Sequence, residues 1–149
     1  MSTKTTVRAA ASQDLAAIFN LVQQLAHFEK APEQVTSNIE AYHTAFDQRI
    51  FNALVAIKES KIVGTAIYTL TWSTWKGRML YLEDLIVEES ARNQGIGQLL
   101  FDAFIKEAKE LKCALAKWQV LDWNEGAIKF YERNGATIEK EWWNGKITF

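Results

Sequence analysis

Two carboxylates interrupt the apolar run MLYLEDLIV at residues 79–87. Glu83 and Asp84 would cost free energy inside a buried strand unless they are solvated, paired or used. A carboxylate beside a cleft can accept a proton as a general base. The alternative is a plain ion pair with Arg78 or Arg92 near the sheet edge, and the pattern alone leaves both interpretations open.

The spacing of this run limits how the two acids can point. Consecutive side chains of a strand project to opposite faces, so we expect at most one of Glu83 and Asp84 to face a given cleft. Glu83 shares its phase with Tyr81 and Leu85.

A polar turn, Arg92-Asn93-Gln94-Gly95-Ile96-Gly97, follows the run. Its glycines let the backbone approach an anion without a Cβ in the way. Amide groups at a helix start carry partial positive charge, which suits a pyrophosphate, and Arg92 could add a charge-assisted contact. A plain glycine turn is the alternative. A P-loop and a dinucleotide fingerprint are excluded, because no Gly-Lys-Ser/Thr is present and Leu100 replaces the third glycine.

Hydrophobic periodicity predicts the elements that must position these residues. The order is β, α, α, β, β, β, α, β, α, β, β, which predicts a mixed α/β sheet flanked by helices. The predicted strands cover 5–9, 52–57, 62–71, 79–87, 114–121, 136–140 and 146–149, the last two around an Asn144-Gly145 turn. The predicted helices are one that ends before Pro32, one over 33–46, one over 96–111, and one that Asn124 caps and Asn134-Gly135 closes.

Composition bounds the class of protein. A chain of 149 residues suits one domain, and a formal charge of −1 without basic clusters gives no footprint for nucleic acid. No run is long enough to cross a membrane. One cysteine, Cys113, and no apolar leader near Met1 predict a cytoplasmic protein. His27 and His43 lack the spacing of a metal site, so we expect no metal.

The motifs carry a resemblance to a known family. The pattern Arg92-x-x-Gly95-x-Gly97 between a strand and a helix resembles motif A of the GNAT acetyltransferases, and residues 114–135, with FYERNGA, look like motif B. The segments LAHFEKAPEQV, TWKGRMLYLEDLIV, RNQGIG and LDWNEGAIKFYERNGA are similar to the spermidine/spermine and thialysine acetyltransferases. The resemblance spans about residues 5–143 and implies one GNAT domain over 1–149, with a mostly antiparallel central sheet.

The resemblance also implies roles for individual residues. Acetyl-CoA would be held by the end of the strand, the polar turn and the second motif, at Leu85, Ile86, Val87, Arg92, Asn93, Gln94, Gly95, Ile96, Gly97, Gln98, Asn124, Ala127 and Tyr131. Glu83 would deprotonate the amine, directly or through water, and Tyr131 would protonate the departing thiolate. Without the resemblance, a buried core aromatic is the better interpretation of Tyr131.

The resemblance is less specific about the residues that would bind the amine substrate. Phe28, Glu29, Trp75, Glu83 and Asp84 are the candidate substrate residues, with carboxylates and aromatic faces that suit a cation. On charge alone, Glu29 would be part of a solvated connector. In the polyamine enzymes an acid usually stands at the position of Ser73 and a tyrosine at that of Phe28, so both depart from the polyamine pattern.

The predicted function is direct acetyl transfer to a primary amine of a small di- or polyamine or a basic amino acid such as thialysine. The alternatives are a transferase for protein N-termini or lysines, and a non-catalytic CoA-binding module. Relatives are commonly homodimers, so we expect one here. The aromatic tail with Trp142, Trp143 and Phe149 would bury that interface or finish the monomer core.

Overall fold

A computed structural model describes residues 4–149 of the chain. The elements of this part, in chain order, are β1 Thr6–Ala9, α1 Leu15–Phe28, α2 Ile39–Asp47, β2 Asn52–Lys58, β3 Lys61–Ser73, β4 Gly77–Val87, α3 Ile96–Glu110, β5 Leu115–Trp118 and α4 Glu125–Arg133. Contacts divide it into a larger unit that ends at Trp118 and a smaller one over 119–149, which contains α4. The single-domain expectation stays a prediction.

The larger unit contains a five-stranded sheet in the order β1-β2-β3-β4-β5. Neighbouring strands are antiparallel except for β4 and β5, which run parallel. This confirms the predicted mixed, mostly antiparallel sheet flanked by helices.

The pairing of β4 changes halfway along the strand. Its first half, Met79 to Leu82, pairs with β5, and from Glu83 onward this edge has no neighbouring strand among the described residues. On its other edge β4 stays paired with β3 as far as Val87. The second half of β4 therefore presents, on this edge, backbone groups that no strand pairs with, and an extended ligand can use such an edge.

Helices cover both faces of the sheet. On one face, Leu15 and Ile18 of α1 form a buried cluster with Ile67 of β3 and with residues of β2. The next residue, Tyr68, projects to the other face, where its ring lies 5.8 Å from that of Phe104 in α3. The alternation of β3 thus anchors α1 and α3 on opposite sides.

Gly64 sets the distance between α3 and the sheet. A Cβ at this position would lie 2.9 Å from the carbonyl oxygen of Ile86 and 2.9 Å from Cδ1 of Leu100. Only a residue without a side chain lets the first turns of α3 approach β3 this closely. That approach holds the start of α3 beside the end of β4.

Two predicted elements differ from the structure. The helix predicted from residue 33 begins at Ile39, because Pro32–Gln34 forms a 3₁₀ turn and the side chain of Asn38 caps α2 by accepting from the amide of Ala41 at 2.8 Å. The predicted C-terminal hairpin is wrong, since residues 136–149 contain no strand. A tight-turn signal such as Asn144-Gly145 does not stabilise an isolated hairpin.

Two further searches cover only residues 4–149. No helix there is long and apolar enough to cross a membrane. No group of three or more His, Cys, Asp or Glu side chains is arranged to hold a metal ion.

Replacing Gly64 with alanine is expected to lower the free energy of unfolding by about 1–3 kcal/mol, because the added methyl must displace α3 or the backbone of β4. Chemical denaturation of the purified variant measures this. Gly126→Ala is the control, since a Cβ there meets no atom within 4 Å and alanine favours a helix. Equal stability of Gly64→Ala and the native protein would contradict the close contact.

Candidate active site

Glu83 occupies a β-bulge in β4. On β3 the consecutive residues Ile67 and Tyr68 pair with Asp84 and Leu82, which leaves Glu83 as an extra residue without a partner. A bulge of this kind breaks the alternation of side chains and re-aims them. By this register, Glu83 and Asp84 both project to the face on which α1 packs.

The bulge corrects the expectation that at most one of the two acids faces a given cleft. Glu83 keeps the phase of Tyr81, as predicted, but Leu85 lies on the opposite face because the bulge intervenes. The period-two argument failed because it assumed an uninterrupted ladder. The site contains a pair of carboxylates instead of one.

The pKa values also indicate that the acidic side chains lie close together. Burial first, and then the nearby charges of Glu83 and Glu29, raise the pKa of Asp84 from its ordinary 3.8 to about 7. Burial, and then the charges of Asp84 and Glu83, also raise the pKa values of the Tyr42 and Tyr81 hydroxyls. Glu29, Glu83 and Asp84 therefore form one group, which we call the acidic cluster.

Glu29 enters the acidic cluster from the end of α1. It is the C-cap residue of that helix, and its backbone amide donates to the carbonyl of Leu25 at 2.8 Å. Burial raises the pKa of its carboxyl group. A negative charge is disfavoured at a helix C-terminus, so three acids gathered here leave a site that a cation would stabilise.

The ion-pair alternative is not seen for these acids. Arg78 donates to the carbonyl of Leu111 at 2.8 Å, and Nε of Arg92 donates to the carbonyl of Val87 at 3.1 Å. Within residues 4–149, neither Glu83 nor Asp84 forms an ion pair with an arginine. The acids are thus not neutralised by the two arginines that the sequence offered.

The polar turn after β4 has the geometry of an anion-binding loop. Gly95 is the N-cap of α3 with φ +79°, Asn93 has φ +64°, and no atom lies within 4 Å of a Cβ added at Gly95. The first amides of α3 have no acceptor within the helix, and its first turn carries no acidic residue. Open space, amides without an acceptor in the helix and an uncompensated helix dipole fit a pyrophosphate.

The loop and the open strand edge are continuous. A Cβ added at Gly97 would touch Cγ2 of Val87 at 3.8 Å, and Arg92 holds the carbonyl of the same valine. The end of β4, just before the loop, pairs with β3 on one edge only, at Leu85, Ile86 and Val87. An extended chain with a diphosphate at one end fits this combination, which is the form of the predicted cofactor.

The predicted residues of the second motif lie in the smaller unit. Asn124 is the N-cap of α4, as predicted, and its Oδ1 accepts from the amide of Ala127 at 3.2 Å. Tyr131 is buried, with its ring 5.3 Å from that of Phe130. The cofactor and catalytic roles of these residues stay predictions.

The aromatic substrate residues are arranged less favourably. The Phe28 ring is covered by the guanidinium of Arg92, at 5.2 Å from the ring centroid, so the cation on this face is a protein side chain. Trp75 lies in the β3–β4 turn and is 84% exposed. In the same turn Ser73 accepts from the amide of Lys76 at 3.2 Å, a local use for the side chain that replaces an acid. Tyr42 and Tyr81, which lie beside the acidic cluster, were not among the predicted site residues.

Replacing Asp84 with asparagine is expected to raise stability above neutral pH. Because the folded state raises this pKa, the folded protein retains a proton that the unfolded chain releases between about pH 4 and pH 7, and native stability falls as pH rises through that window. Asp84→Asn should flatten this dependence and add about 1–3 kcal/mol at about pH 8. Denaturation at about pH 5 and pH 8, with the exposed Asp122→Asn as control, measures it. An equal loss of stability at both pH values would contradict the prediction.

Comparison with known proteins places the chain in a family. The model of the acetyltransferase (GNAT) family matches residues 15–136. The chain is 35% identical to thialysine N-epsilon-acetyltransferase of Bos taurus, over 93% of this chain and 88% of that protein. It is 45% identical over 62 residues to L-ornithine N5-acetyltransferase of Arabidopsis thaliana, which covers 42% of this chain and 27% of that protein. An aminoglycoside acetyltransferase from a soil metagenome has the same fold, with a TM-score of 0.81, 22% identity and coverage of 97% and 96% of the two chains. The chain belongs to the GNAT family of acetyltransferases.

Proposed function

We propose that this acetyltransferase moves acetyl from acetyl-CoA directly to a terminal primary amine of a small basic amino acid or di-/polyamine. The observation that carries the proposal is the combination, on one strand, of a bulged carboxylate pair with an open edge that leads into an anion-binding loop. The carboxylates suit a cationic amine, and the edge and loop suit an extended diphosphate cofactor.

The cofactor would be held mainly by the backbone. Leu85, Ile86 and Val87 offer the open edge to its pantetheine arm, and Arg92 with residues 93–98 binds its pyrophosphate. The family resemblance assigns Asn124, Ala127 and Tyr131 to the cofactor as well. When bound, the cofactor supplies an acetyl thioester that is activated toward amines.

The carboxylate pair supplies the proton acceptor. An ammonium substrate must lose a proton before its nitrogen can attack a carbonyl, and a base with a pKa near the working pH is the most effective. Glu83 is exposed and takes the proton directly or through water, while Asp84, with its pKa of about 7, shares it. The charge of Glu83 contributes to the raised pKa of Asp84.

Two other residues support direct transfer. Tyr131 is the general acid that returns a proton to the thiolate, a role that rests on the resemblance. Burial raises the pKa of the Cys113 thiol above its ordinary value, so this cysteine is a poor nucleophile. No covalent enzyme intermediate is therefore needed.

A lysine-like amino acid is the first choice of substrate. Two relatives are named for the acetylation of thialysine at Nε and of L-ornithine at N5, and both activities involve a terminal amine on a short basic amino acid. The acidic cluster would bind the side-chain ammonium. Ser73 and Phe28 depart from the polyamine pattern, which places spermidine second.

The homodimer and the cytoplasmic location also stay proposals. Trp142 is 67% and Trp143 93% exposed, and Phe149 is exposed as well. Exposed aromatic residues are typical of protein interfaces, which supports the dimer.

The function is tested by incubating the purified protein with acetyl-CoA and a panel of thialysine, lysine, ornithine, putrescine, spermidine and basic peptides. Thiol release and the mass of the product measure transfer. We expect the fastest turnover with thialysine or ornithine. Acetylation of peptides alone would contradict the small-amine assignment, and CoA binding without any acetylated product would contradict catalysis.

If Glu83 and Tyr131 act in proton transfer, their replacement should slow acetyl transfer and leave CoA binding nearly unchanged. Glu83→Gln and Tyr131→Phe should each lower kcat by about 10²–10⁴-fold, because each removes a proton-transfer group and keeps the shape of the side chain. The dissociation constant of CoA should change less than about threefold. Glu110→Gln, an exposed residue that pairs with Lys106 near the end of α3, is the control. Unchanged turnover in either variant would remove that residue from the mechanism.

A further inference from the structure

A tight hairpin brings two lysines to one face of the sheet. The turn between β2 and β3 consists of Glu59 and Ser60, with φ values of 53° and 62°, which match a type I′ turn. Lys58 and Lys61 flank this turn as directly paired residues. Opposite residues of an antiparallel pair project to the same face, so Lys58 and Lys61 lie side by side on that face.

The two lysines differ in their partners. Nζ of Lys61 forms an ion pair with Oε1 of Glu88 at 3.0 Å. Nζ of Lys58 donates to the side-chain oxygen of Gln94, and among the described residues no carboxylate pairs with it. The charge of Lys61 is therefore balanced, whereas a neutral amide leaves that of Lys58 uncompensated.

Gln94 connects Lys58 to the anion-binding loop. It lies between Arg92 and Gly95, directly before α3, whose first turn has no acidic residue. Lys58 thus brings a second side-chain cation to this loop from β2, a strand outside the loop motif. An ammonium group has donors left after one hydrogen bond, and phosphate oxygens are its preferred acceptors.

We infer that Lys58 is a cofactor-binding residue, whose ammonium group contacts the diphosphate of CoA and orders Gln94 in the loop. The inference rests on the proposed function, since it requires CoA in this loop. It adds a side chain that the loop motif does not predict. Lys61, which flanks the same turn, has no such role because Glu88 already pairs with it.

Calorimetric titration of CoA into the native protein and three variants tests the inference. Lys58→Gln should weaken binding about fivefold to twentyfold, and Lys58→Arg, which keeps the charge, should recover most of the affinity. The matched control Lys61→Gln should bind within about twofold of the native protein. Raising the salt concentration should weaken CoA binding less in Lys58→Gln than in the native protein, because one charge contact is gone. Lys58→Met, which keeps the aliphatic stem, replaces the glutamine variant if that variant does not fold.

Dephospho-CoA, which keeps the diphosphate but lacks the 3′-phosphate, locates the contact. We expect Lys58→Gln to lose the same factor with CoA and with dephospho-CoA. A loss seen only with CoA would overturn the diphosphate contact, and native-like affinity in folded Lys58→Gln would overturn the inference as a whole. If the native protein bound neither compound, the proposed function would fail together with it, so the two failures are distinguishable.

Discussion

The bulge at Glu83 is the constraint on which the candidate site depends. A regular strand would send Glu83 and Asp84 to opposite faces, each with its own environment. One extra residue in β4 puts both acids on the face of α1, where Glu29 joins them. The resulting repulsion and burial cost stability, and a cationic substrate would relieve that cost on binding. The same feature thus explains the raised pKa of Asp84 and supports the proposed choice of an amine substrate.

The other half of the site depends on how β4 is left unpaired and how α3 is docked. β5 pairs with β4 only as far as Leu82, so the backbone that follows is open on one edge. Gly64 lets α3 approach the sheet, and the helix start then lies beside the end of that edge. Gly95 and Asn93 have positive φ values directly before α3, whose first amides have no acceptor within the helix. A cofactor site that consists mainly of backbone groups leaves the side chains around the substrate free to vary. This agrees with a family whose members act on different amines.

Sequence periodicity predicted what is locally encoded. The alternating run of β4, the glycine turn and the apolar stripe of α3 each lie within one stretch, and the structure contains all three. The bulge was not predictable, because it depends on the register with β3. Tyr42 beside the acids and Lys58 at Gln94, 36 residues away in the chain, follow from tertiary packing that no local pattern records. The C-terminal hairpin was predicted wrongly for the converse reason, since its turn signal was strong but no partner strand supports it.

We propose that the bulged carboxylate pair accepts the substrate proton. The pH dependence of kcat/KM tests this role most directly. With the best amine of the panel, the native enzyme should gain activity through an inflection near the pKa of about 7 that Asp84 has in the structure. Asp84→Asn should remove that inflection. In Glu83→Gln any residual activity should show it at lower pH, because the charge of Glu83 contributes to the raised pKa. The same inflection in all three proteins would contradict the account.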